Sequence, residues 1–146
     1  SVCDWSSDVC SSDLVVEATA ANSSEVLSAA QSLVGRVDAL YVPTDNTVVS
    51  AIESVVLVAE RARLPLIAGE DLSVEQGALA TVGIDYYQLG RQTADMALRV
   101  LQGENPAEMS IEYQNEINLV VNLSAAQRMG VTIPEDLLAN AARVID

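Results

Sequence analysis

The sequence predicts an α/β domain, an open, mostly parallel sheet flanked by helices. From Leu14 onward, short apolar runs of β type alternate with longer runs of helical period. The β-type runs beginning near 14, 38 and 65 are spaced like βα units. Gly, Pro, Asn and Asp punctuate the boundaries, so the runs stay separate.

Leu14 to Thr19 (LVVEAT) reads as the first strand. Asn22 or Ser23 caps a helix whose Val26, Leu27, Ala30, Leu33 and Val34 share one face until Gly35 stops it. Asp38 to Val42 (DALYV) is a second strand. A long helix is expected from about Asn46 to Arg63, with Val48, Val49, Ile52, Val55, Val56 and Ala59 inward. Leu64 to Ala68 (LPLIA) has the short apolar character of a buried central strand, and Asp71 to Gln76 makes a turn of helix. Leu79 to Ile84 is another strand. Tyr86 to Gln102 is a helix with Leu89, Thr93, Met96, Ala97 and Val100 inward, closed by Gly103. Met109 to Tyr113 and Ile117 to Asn122 look extended; a short helix from Ser124 to Met129 and a last one starting at Pro134 complete the chain.

The 146 residues carry 21 acids against 7 bases, all Arg, for a formal charge of -14. That field repels phosphate backbones and anionic headgroups, so no nucleic-acid partner is expected. The longest apolar runs fall far short of the roughly 20 residues of a membrane span, so no direct membrane insertion of this segment is expected. Residues 1–14 differ in kind: Ser-rich and aperiodic, they hold the only Trp and both Cys. Asp4 to Leu14 (DWSSDVCSSDL), read back into codons, resembles a translated sequencing adapter, and 1–14 is set aside as non-native. Cys3 and Cys10, at C-x6-C, match no zinc spacing.

Ligands of open parallel sheets bind beyond the carboxyl ends of the strands. The residues there are polar: Thr19 and Asn22; Thr44, Asp45 and Asn46; Glu70 and Asp71; then Asp85, Tyr86 and Tyr87. Acidic groups on one rim suit an amine, with amides and hydroxyls for the rest of a small zwitterion. Taken singly, Asn22, Asp45 and Asp85 are equally ordinary helix caps, and the tyrosines could simply pack on the sheet edge. Their recurrence after successive strands favours a binding rim. Catalysis is not expected, because there is no His, no Lys, no Cys outside the opening, and no nucleophile-elbow or phosphate-loop motif. No cofactor or metal is expected either; the acids lack calcium-loop spacing.

The stretches AQSLVGRVDALYVPTDNTVVSAIESVV, LPLIAGED, GALATVGIDYYQLGRQTADMALRVLQGENPAE and MGVTIPEDLLANAARVI together resemble the substrate-binding proteins of ABC transporters of the tryptophan/tyrosine type. The resemblance covers essentially all of residues 15–146. It implies a type I periplasmic-binding-protein fold, of which this chain is an incomplete C-terminal lobe: 15–108 the ligand-binding lobe, 109–146 a crossover strand and C-terminal helices. It maps PTDN and GIDY onto an interlobe cleft, hence Thr44, Asp45, Asn46, Asp85 and Tyr86, with Glu70 of AGED as a further rim residue. It implies a small amino-acid-like, aromatic ligand, an ABC permease as partner of the full-length protein, and a periplasmic or cell-surface lipoprotein. It also implies that the first βα unit of the lobe is missing, its strand belonging between those at 14 and 38, so either these two pair directly or a gap leaves an open edge. The alternative is the effector-sensing domain of a transcriptional repressor, which shares the fold and would need a basic helix-turn-helix upstream.

Overall fold

The computed structural model describes residues 14–84, 86–113 and 117–146; the Cys-bearing opening and Asp85 lie outside these. Five strands form one sheet in the order β1 (Leu40–Val42), β2 (Leu66–Ala68), β3 (Ala80–Ile84), β4 (Ile117–Asn122) and β5 (Arg143–Ile145). β1, β2 and β3 run parallel, β4 is antiparallel to β3 over the register Ala80–Val121 to Ile84–Ile117, and β5 is parallel to β4. The mixed, mostly parallel α/β architecture agrees with expectation.

Among the described residues Asp45, Glu70 and Asn122 make side-chain helix caps, whereas Asn22 and Ser23, expected to cap the first helix, make none. A 3-10 turn at Ser23–Glu25 leads into α1 (Val26–Leu33), with the Glu25 carboxylate accepting from Ala21 N and Asn22 Nδ2. The helix expected over 46–63 is two: α2 (Asn46–Val49) and α3 (Ile52–Ala62), separated at Ser50 and Ala51. Five α3 residues are buried, namely Ile52, Val55, Val56, Val58 and Ala59. They pack with Leu40, Val42 and Leu66 of the sheet, Ala30 of α1, and Ala126 and Met129 of α6 (Leu123–Met129) into one core. Burying one such aliphatic side chain stabilises by about 1.5–3 kcal/mol, so α3 is the main strut of the core. α4 (Asp71–Glu75) closes over β2, β3 and β4. Asn122 ties these pieces together from a buried position: Nδ2 donates to Val74 O at 2.9 Å, and Oδ1 caps α6 by accepting from Ala125 N at 2.8 Å.

Four further expectations need correction. Leu14–Thr19 joins no strand; β1 carries the free edge of the sheet, and Leu14 and Val15 are exposed. With no strand beside it, β propensity alone does not form a ladder. Met109–Tyr113 is likewise unpaired. α5 (Tyr86–Leu101) forms where expected, but none of its residues is buried; Leu89 and Met96 are half-buried, and Thr93, Ala97 and Val100 are exposed. Its described neighbour is the chain that follows: Gln92 Nε2 donates to Glu112 Oε2 and Tyr113 O at 3.2 and 3.1 Å, and Arg99 pairs with Glu112. Finally, the helix at the end of the chain is α7 (Glu135–Ala139), with Pro134 as its cap rather than its first residue, and β5 follows it.

Candidate functional site

Because β1, β2 and β3 are parallel, Val42, Ala68 and Ile84 end on one edge of the sheet. The segments leaving those ends build the candidate site. After β1 come Thr44, Asp45 and Asn46, all exposed. Asp45 Oδ1 accepts from Thr47 N at 2.9 Å and Val48 N at 3.0 Å, capping α2, a job that leaves Oδ2 unused by the cap. After β2 comes Gly69, whose N–H donates to Val42 O at 2.9 Å. A Cβ at Gly69 would lie 2.9 Å from Thr44 Oγ1 and 3.1 Å from Thr44 N, so only glycine lets the first two rim segments touch.

Glu70 is buried, and both of its oxygens are engaged. Oε2 accepts from Leu72 N at 2.8 Å, and Oε1 from Ser73 N at 2.9 Å and from the Ser73 hydroxyl. It is the cap of α4, and its charge is spent on backbone donors rather than presented at the surface. After β3, Tyr86 opens α5 with 57% of its surface exposed. The structure thus brings Thr44 against Gly69, with Asp45 and Asn46 following Thr44, and sets Tyr86 after the third parallel strand. Asp85 lies outside the described residues.

Sequence reasoning passed over Ser73 and Asn122, which organise the site from behind. Both carried a signal: Ser73 stands three residues after Glu70, and Asn122 precedes the run Leu123–Met129 as an N-cap should. Among the described residues no cluster of His, Cys, Asp and Glu could hold a metal ion, and no helix is long and apolar enough to cross a membrane. A rim of hydroxyl, carboxylate, amide and phenol groups can bind a polar solute.

The family described as ABC transporter substrate binding protein matches residues 13–145. The chain belongs to that family. A tyrosine-binding protein of Clostridioides difficile (strain R20291) is 44% identical over 108 residues, 74% of this chain and 31% of the relative. A solved conserved domain protein from Vibrio cholerae superposes with a TM-score of 0.79 at 42% identity, covering 88% of this chain and 44% of that one. The solved ABC domain in complex with L-Trp from Streptococcus pneumoniae superposes at 0.76 with 35% identity, over 85% of this chain and 42% of that one. The chain therefore spans about a third of its curated relative and less than half of these solved chains. Membership places it among substrate-binding proteins rather than enzymes, and its relatives include tyrosine- and tryptophan-binding ones.

Proposed function

We propose that this chain is one lobe of the extracytoplasmic solute-binding protein of an ABC importer, and that it takes an aromatic amino acid in a cleft closed by a second lobe. The observation that carries the reading is the rim: three parallel strands deliver Thr44, Asp45 and Asn46, the Gly69–Glu70 turn, and Tyr86 to one edge. Asp45 receives the ligand ammonium on the carboxylate oxygen that the α2 cap does not use. Thr44 and Asn46 address its polar end, and the exposed Tyr86 ring packs against its aromatic part. Glu70 serves by holding the second rim segment in shape. Asp85, next to Tyr86 in sequence, is a further candidate for the ammonium. A ligand bridging two lobes favours the closed form by contacts made only there, and a permease then reads the closed form.

The test is a calorimetric titration of the full-length protein carrying this lobe with L-Tyr and L-Trp. Saturable binding, weakened at least tenfold by Asp45→Asn with the fold intact, is the expected outcome, since Asn caps a helix as well as Asp does. Wild-type affinity in Asp45→Asn would remove the ammonium assignment. Failure of both amino acids to bind would remove the ligand class.

A further inference from the structure

α1 and α3 pack side by side, and their outward sides differ in composition from the rest of the chain. In a sequence with 21 acids and 7 bases, Val26–Leu33 carries no charged residue. α3 turns Ile52, Val55, Val56 and Ala59 inward, and its exposed residues are Glu53, Leu57 and Arg61. A spacing of four places these three in one row along the helix, with about 6 Å between successive members. Between this row and α1 runs a groove of about 230 Å³, walled by Leu27, Gln31 and Val34 on one side and by Leu57, Val58 and Arg61 on the other. Leu27, Leu57 and Val34 are 37%, 41% and 44% exposed, so its apolar walls stand in water. Glu53 and Arg61 are about 12 Å apart along the axis. They cannot pair within α3, and among the described residues neither joins a salt bridge.

We propose that this face pairs with the same face of a second copy, across a two-fold axis at Leu57. The row Glu53, Leu57, Arg61 is self-complementary under that symmetry. When two α3 helices pack antiparallel, Leu57 meets Leu57, Glu53 lies opposite the second copy's Arg61, and Arg61 opposite its Glu53. Parallel packing would set acid on acid and base on base, so the charges fix the orientation. Leu27 and Val34 of α1 flank the axis and give the contact an apolar centre with a polar border. Repulsion between two chains at -14 each opposes association. The charge-free α1 keeps like charges out of the contact itself, and acids elsewhere are screened beyond about 8 Å at physiological salt. A patch built from two helices is small, so the pair is weak, with a dissociation constant on the order of 10–100 μM. None of Thr44, Asp45, Asn46 and Tyr86 lines the groove, so the pairing leaves the candidate rim open and does not rest on the binding reading above.

Sedimentation equilibrium on the full-length protein carrying this lobe, from about 1 to about 300 μM, tests the pairing. The expected result is a monomer–dimer equilibrium in that range. Glu53→Arg and Arg61→Glu should each weaken it at least about tenfold, because each sets like charges opposite one another at two places in the contact. The double variant Glu53→Arg/Arg61→Glu should restore it to within about threefold of the wild type, since the reversed row is again self-complementary. Leu57→Glu should abolish the dimer. All three side chains are exposed, so the fold survives these changes, and recovery in the double variant separates a lost contact from a damaged fold. A monomer at every concentration would overturn the proposal. A dimer that tolerates both single reversals would place the contact elsewhere and also overturn it, as would a double variant that associates no better than the singles.

Discussion

α3 and α5 carry the same kind of pattern and meet opposite fates. Both space apolar residues at helical period, yet α3 buries five of its eleven residues and α5 buries none of its sixteen. α3 lies between α1, α6 and the sheet; on the apolar side of α5, Met96 and Val100 share a groove with Pro106, Met109 and Ile111, while Leu98 and Leu101 are exposed. An amphipathic pattern states that a helix has a face to bury. It does not state that the partner is within reach.

The comparison breaks most sharply in the core. Ile52→Ala or Leu66→Ala, each removing a side chain that is at most 1% exposed, should cost about 3–4 kcal/mol in denaturant unfolding. Leu98→Ala on α5 should change the unfolding free energy by less than about 0.5 kcal/mol, and a large effect would mean that α5 is packed after all. Next in size is Asn122→Ala, which removes the buried bond to Val74 O, leaving that carbonyl only the Gly77 N–H, and uncaps α6; about 2 kcal/mol is expected. Gly69→Ala pushes a Cβ against Thr44 backbone and should cost about 1–3 kcal/mol, with the rim amides of Thr44 to Asn46 shifting in NMR spectra. Asp45→Ala should cost about 1 kcal/mol through the lost cap of α2, and Asp45→Asn only a few tenths.

The smallest effect is one of acidity. Glu112 has its carboxyl held below the ordinary value of 4.5, first by the Gln92 hydrogen bond and then by Arg99. A carboxylate with a depressed folded pKa contributes its full effect above the unfolded value, and loses it as pH falls through the lower, folded one. The tether between α5 and Glu112–Tyr113 should therefore loosen below pH 4.5 while α3 stays packed. NMR titration of the Gln92 and Glu112 side chains checks this, and simultaneous loss of α3 signals would show that the two helices unfold as one unit.

Much of the fold was legible residue by residue. Gly35 and Gly103 stop helices with positive φ, as their positions indicated, and β1, β2 and β3 run parallel as the α/β reading expected. Asp45 was readable both as a cap and as a rim acid, and its two oxygens allow both, since one is enough for the cap. Glu70 misled: an acid after a strand looks available for a ligand, but Ser73 and the α4 backbone take both of its oxygens. The break at Ser50 and Ala51 and the strand β5 were also missed, because neither carries a Gly or Pro signal.

Local order and composition settled the periods of the elements, the Asp45 cap, the polar strand ends and the lack of His and Lys, because each depends on neighbours a few residues away. Tertiary structure alone decided that Leu14–Thr19 stands outside the sheet, that β4 runs antiparallel, that α5 is left uncovered and that Glu70 is consumed. Each of those outcomes turns on a partner remote in the chain, and a run of apolar residues records the need for a partner without recording which one arrives.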